Sequence, residues 1–334
     1  MGRIAPGGVV GIGARNRGPV AALALPLVLP LVLAATLAGC LFASETPASS
    51  ADASGALPTA PSSVAPSPGA SPSASPDASP ATSNPPPVAT KPTPCPGTNR
   101  NPGAGPGRQF SGGSTNWAGY VSAIKKTGVT CIEASWIEPT VTCPKTGHQS
   151  VAIWIGIDGF GAKTLGIPTT DVLVQIGTQA NCSAGLVDHE IWREILPGEA
   201  NEVHVSSAIH AGDHISAKVS YFNGNFTLAL FDQETGFGVS HTAPAPGAPR
   251  KTAEWIVEAP ATNCPGTCSP LPLPKFTAVR FTGAFVTIAG QRASINDASW
   301  SNVKLKMTRG GVTRATVSSL SSGGTAFRVA WAHS

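Results

Sequence analysis

The sequence predicts an all-β fold, a large antiparallel β-sandwich (concanavalin-like), on three observations. Beyond residue 110 the chain breaks into about a dozen short, β-branched segments, many alternating apolar and polar residues. Turn signals such as AGD and FNGN separate them. No helical periodicity lasts longer than about two turns. Each alternating strand hides one face, so a second sheet has to cover it.

The chain begins with a different kind of segment. Residues 1–18 are glycine-rich and carry Arg3, Arg15 and Arg17, and an apolar run extends from Pro19 to Cys40. A basic stretch followed by an apolar one is the plan of an export signal. The prolines in the run disfavour a spanning helix. It ends in LAGC, Leu37–Cys40, which resembles a bacterial lipobox. That resemblance implies a leader over residues 1–39, a lipidated Cys40 as first mature residue, and attachment to the outer face of the cell membrane; secretion is the alternative.

Residues 43–109 contain no aromatic residue, no isoleucine and one leucine, Leu57, and are dominated by Ser, Pro, Ala and Gly. Such a composition buries too little apolar surface to offset the entropy of ordering. Residues 40–110 therefore read as a disordered, proline-stiffened tether. All seven tryptophans lie beyond it, at 117, 136, 154, 192, 255, 300 and 331, which places one folded domain at 111–334.

Within the domain the strands are expected at NWAGYVSA, ASWIEPTV, SVAIWIGI, DVLVQIGT, HEIWREIL, EVHVSSAI, HISAKVSYF, FTLALFD, GVSHT, TAEWIVEA, AVRFTGAFVTIA and NVKLKM. In DVLVQIGT, Val172, Val174 and Ile176 share one face and belong in the core between sheets, which turns Gln175 to the other. In TAEWIVEAP, Trp255 and Val257 point one way while Glu254, Ile256 and Glu258 point the other. If both strands lie in one sheet, Gln175 and Glu254 meet on its outer, concave surface.

Seven cysteines leave six once Cys40 carries lipid. An exported chain with an even remainder points to disulfides. Cys131 with Cys143, Cys264 with Cys268, and then Cys95 with Cys182 is one plausible set among about 15. Charge says little for nucleic acid: without the three arginines of the leader, 19 basic residues face 18 acidic ones. GIDGFGAKT lacks the lysine placement of a phosphate loop, and HEIWR has Arg193 where a zinc-protease helix needs a second histidine. There is no G-x-S-x-G elbow, and each free thiol has a disulfide fate available, so serine, cysteine and metal hydrolases lack their usual supports.

STNWAGYV, SWIEPTV, WIGIDG, LVQIGT, IWREILP and TAEWIVEAP occur in this order. The set resembles the glutamic peptidases, or eqolisins, and their bacterial members more closely, over about Ser114 to Val303. The resemblance implies a sandwich of two large antiparallel sheets and an endopeptidase acting on polypeptides at acid pH without metal or cofactor. Carried over, it makes Gln175 and Glu254 the catalytic pair. It also makes Trp117, Trp154, Asp158 and Glu194 residues that line or support the substrate site, with Arg193 standing where the family has tyrosine. The protein is expected to act as a monomer.

The chemistry also follows from the side chains. Peptide hydrolysis needs a base for water, a donor for the oxyanion and an acid for the leaving amine. One glutamate can serve first as base and then as acid, and with an unperturbed pKa of about 4.3 it is substantially ionised near pH 4. Glutamine is unchargeable and offers both a donor and an acceptor. Two other readings compete. A lectin-like carbohydrate-binding sandwich would be favoured by loss of Gln175 or Glu254. A glycosidase needs a second acid near Glu254, and Glu258 lies about 13 to 14 Å along the strand.

Overall fold

The computed structural model describes residues 12–13, 90–99, 106–199, 203–206, 208–262 and 269–334. Among these, sixteen strands of four or more residues and no α-helix occur; the helical content is one 3₁₀ turn, Lys163–Leu165. The strands are β1 (Gln109–Ser114), β2 (Trp117–Ala123), β3 (Val129–Ile137), β4 (His148–Asp158), β5 (Leu173–Ser183), β6 (Leu186–Leu196), β7 (Val203–Ser206) and β8 (His214–Phe222). They continue as β9 (Asn225–Asp232), β10 (Gly238–Pro244), β11 (Thr252–Glu258), β12 (Val279–Ile288), β13 (Gln291–Ser294), β14 (Ser301–Arg309), β15 (Val312–Val317) and β16 (Phe327–Trp331).

Two sheets form. The first runs β7-β6-β5-β4-β11-β2-β14, antiparallel throughout, with β1 added parallel to β14. The second runs β10-β9-β8-β3-β12-β13 and is antiparallel. β12 belongs to both: Val279–Phe281 pair with β16 beside the first sheet, whereas Thr282–Ile288 pair with β3 in the second. A register shift between Thr282 and Phe285, next to Gly283 at φ 57°, turns the corner.

The alternation read from the sequence decides which side chains meet between the sheets. Ile153, Ile155 and Ile157 of β4, Val174 and Ile176 of β5, and Trp255 and Val257 of β11 pack with Ile132, Val219, Leu228 and Val286 from the second sheet. Burying such side chains contributes roughly 1.5 to 3 kcal/mol each. On the opposite face of the first sheet lies a smaller apolar cluster, with Trp117, Val121, Trp154, Trp192, Ile256 and Val303. Phe160, Ala162, Leu165 and Ile167, from the connection between β4 and β5, join it. That connection folds back on itself through the Ala162–Ile167 bridge, closed by Gly166 at φ 70°.

Two expectations from the sequence change. The disulfides join Cys95 to Cys131 and Cys143 to Cys182, so the pairings Cys131–Cys143 and Cys95–Cys182 are wrong; Cys264 and Cys268 lie outside the described residues. Strand alternation explains it, since Cys131 points out of the second sheet, where the chain through Cys95 crosses, and Cys143 sits near the end of β5 that carries Cys182. The same crossing takes residues 90–99 out of the tether in which their composition places them. Besides the disulfide, Lys218 Nζ donates to Thr93 O at 3.0 Å, Thr287 Oγ1 to Pro96 O at 2.7 Å, and the Cys95 N–H to Glu133 Oε2 at 2.6 Å. These bonds fix a segment that has few apolar side chains to bury.

Candidate active site

The register of the first sheet brings Glu194, Gln175, Gly156, Glu254 and Val121 into one row across β6, β5, β4, β11 and β2. All are on the face that carries the smaller cluster. Gln175 and Glu254 are thus two strands apart, about 9.5 Å between backbones, with a residue lacking a side chain between them. A methyl group at Gly156 would stand 3.0 Å from the Trp154 ring, 3.1 Å from Val174 O and 3.2 Å from Gln175 Cβ. The glycine keeps the position between the two side chains free of a side chain of its own, and the Trp154 ring and Gln175 approach the backbone there.

The next row continues this alternation of large and small residues as Trp192, Gly177, Trp154, Ile256 and Gly119. At Gly177 a Cβ would meet Trp154 Cβ at 2.6 Å, so only glycine lets Trp154 sit there. Trp117 packs edge-on against Trp154, with ring centroids 5.0 Å apart.

Each polar group in these rows has a distinct set of partners. Gln175 Nε2 donates to Glu194 Oε2 at 2.9 Å, while Gln175 Oε1 has no hydrogen-bond partner among the described residues. Glu258 accepts from Asn116 Nδ2 and from Trp154 Nε1, both at 2.8 Å. Ser114 Oγ donates to Asn116 Oδ1 at 3.2 Å and so orients that amide. Asp158, with φ at 71°, accepts the backbone N–H groups of Arg250 and Lys251 at 2.8 and 2.9 Å. It thereby fixes the entry into β11.

Glu254 differs from all of these: it is 0% exposed, and neither carboxyl oxygen has a hydrogen-bond partner among the described residues. Burial pushes it well above the usual carboxylate range; the Thr252 hydroxyl beside it opposes the shift, and the charge of Asp158 adds to it. Burial also raises Asp158 to about 6 and Glu258 well above its ordinary value, against the hydrogen bonds each receives.

The residues expected on this face are therefore together, though not all in the same capacity. Gln175, Glu254, Glu194, Trp117 and Trp154 share the two rows or adjoin them, and Asp158 sits at the end of β4 against the β11 entry. Arg193 alternates to the other face of β6, where Nη2 meets Glu199 Oε1 at 3.2 Å, so its replacement of tyrosine leaves this surface untouched. Gly156, Gly177, Asn116 and Ser114 were not anticipated. Glycine inside WIGID and VQIGT was the available signal, since strand glycines mark close approach. Cys40 lies outside the described residues.

The sequence profile described as the Peptidase A4 family matches residues 115–329. Among solved structures, the fold is similar to scytalido-glutamic peptidase with a transition-state-analogue inhibitor, at 20% identity and a TM-score of 0.54, covering 65% of this chain and 98% of that one. It is also similar to SCP-B, a member of the eqolisin family in complex with the tripeptide Ala-Ile-His, at 20% identity and a TM-score of 0.52, with the same coverage. No curated protein matches the sequence.

Proposed function

The chain belongs to the Peptidase A4 family, the eqolisins, and is a glutamic endopeptidase, and from that premise we propose that its reaction centre is the gap over Gly156 between Glu254 and Gln175. The observation that carries this reading is the contrast in partners. Among the described residues Glu254 alone of the site's buried carboxyls has neither oxygen in a geometric hydrogen bond, with only the Thr252 hydroxyl beside it, and Gln175 Oε1 likewise has no partner.

In the proposed reaction a water molecule in the gap is held by Gln175 Oε1 and gives a proton to the Glu254 carboxylate as its oxygen attacks the scissile carbonyl carbon. The carbonyl oxygen becomes an oxyanion and accepts from the Gln175 N–H that Glu194 does not use. Glu254 then returns its proton to the amide nitrogen, the C–N bond breaks, and the carboxylate is restored. Glu194 acts as a positioning residue, because its acceptor fixes which end of the Gln175 amide faces the gap. Burial raises Glu254, so the acid limb of activity lies above the value of about 4.3 that a solvated glutamate would set.

The test is kinetic. Removing one oxyanion donor costs about 10² to 10³ in turnover, and Gln175→Ala is expected in that range with its melting transition retained. Glu254→Gln keeps the shape but loses both base and acid, and is expected to be at least as impaired. A folded Glu254→Gln protein that cleaves a peptide at the parent rate would sink the assignment.

A further inference from the structure

Beyond the catalytic row the same face opens into a cavity of about 390 Å³. Ala123, which pairs with Thr252, and Ser301, which pairs with Ala123, form its inner wall. Ala123 lies two residues along β2 from Val121, the partner of Glu254, a distance of about 7 Å. Phe110 and Leu165 supply apolar surface continuous with the cluster around Trp154.

The charge on this cavity is of one sign. Arg108, Lys125 and Lys126 line it, and no Asp or Glu does. All three are exposed, and among the described residues none is in an ion pair; Arg108 lies over the Phe110 ring, 5.5 Å from its centroid. Charged residues elsewhere on the surrounding elements are Lys163 on the 3₁₀ turn, Lys251 beside Ile124, Lys304, Lys306 and Arg309 on β14, and Asp297, whose Oδ1 accepts the Ser299 N–H at 2.8 Å. The chain as a whole carries 22 basic against 18 acidic residues, so three unpaired cations around one cavity are a local feature.

We propose that this cavity is a substrate subsite that selects an acidic side chain, Asp or Glu, two to four residues from the scissile bond. The spacing follows from the rise of an extended peptide, about 3.3 Å per residue. The proposal rests on the reaction centre assigned to Glu254 and Gln175. It carries a dependence on pH that comes from the substrate. Lysine and arginine stay charged throughout the acid range, whereas a peptide carboxyl, with pKa about 4, loses its charge below that value. Selection for acidic residues is then strong near pH 5.5 and fades by pH 3, so the same enzyme changes specificity as its surroundings acidify.

The experiment uses the full chain and a set of fluorogenic peptides of one sequence with Glu, Gln or Lys at each position flanking the cleaved bond. Exposed ion pairs contribute little individually, so three cations are expected to favour Glu over Lys in kcat/KM by about 5- to 10-fold at one position at pH 5.5 and low salt. The Glu-over-Gln preference should shrink toward 1 at pH 3. A Lys125→Glu, Lys126→Glu double variant should invert the Glu/Lys ratio. Peptides cut without preference at any position, or a ratio unmoved by the charge reversal, would overturn the subsite. If no peptide is cut at all, the reaction centre is what fails. Equal affinity of Glu and Lys peptides for the Glu254→Gln protein would then overturn the subsite as well, and tighter binding of the Glu peptide would uphold it.

Discussion

Glu258 accepts hydrogen bonds from Trp154 and Asn116, whereas Glu254, four residues earlier on the same strand face, accepts none among the described residues. Those bonds hold the Trp154 indole, whose ring reaches Gly156, and in the proposed reaction Glu254 is the carboxyl that takes the proton from water. Replacing Glu258 by glutamine leaves an acceptor for one donor and strands the other. Leaving a buried donor unsatisfied costs about 1 to 3 kcal/mol, so Glu258→Gln is expected to lower the melting temperature clearly while reducing kcat/KM by about tenfold or less. Calorimetry and peptide kinetics together check this: a loss as deep as that of Glu254→Gln would assign the chemistry to both. The shared face of the two glutamates was legible from alternation. Their different work was not, because the partners of Glu258 lie 142 and 104 residues away in sequence.

At the scale of single strands, β4 separates the two members of the proposed pair, and Gly156 is the point where it does so. A methyl group there would press on the Trp154 ring and on Gln175 Cβ, contacts that need shifts of a few tenths of an ångström. Small displacements of a positioned group can cost up to about 10² in rate. Gly156→Ala is therefore expected to fold and to lose about tenfold or more in kcat/KM; an alanine variant with parental turnover would show that the gap is not used. The strongly alternating strands were legible in advance, and β8 matches HISAKVSYF end to end. β1, β13, β15 and β16 were missed. QFSGGS, QRAS and VTRATV are short or polar enough that only pairing with a distant neighbour makes them strands, as β1 does with β14. Disulfide partners failed for a related reason: spacing along the chain says nothing about which outward-facing positions a crossing segment passes over.

For the molecule as a whole, the buried carboxyls link stability to pH in an unusual direction. Asp158, Glu254 and Glu258 are all raised by burial above their ordinary values. The folded state therefore binds more protons than the unfolded one between the ordinary and raised values, and stability falls as pH rises through that window. For Asp158 the contribution is fully present below about 3.8 and is lost as pH rises through about 6. Exposed Glu234, lowered by its hydrogen bonds from His214, acts in the opposite sense but stands in solvent. Melting temperatures between pH 3.5 and 7.5 should be highest on the acid side; a rise toward neutrality would contradict the burial assigned to the three groups. A peptidase whose buried carboxyls keep their protons in acid is then firmest there.

The order of the strands in the first sheet has a temporal meaning. β11, which carries Glu254, enters between β4 and β2, and β2 gains its other neighbour only from β14, near the end of the chain. A chain made from its N-terminus onward presents Gln175 long before Glu254 exists, and the sheet between them stays open until β11 has been inserted. If Glu254 and Gln175 carry the reaction, the growing polypeptide is inert toward itself until then. On the proposed assignment, hydrolytic capacity arrives only with the last quarter of synthesis.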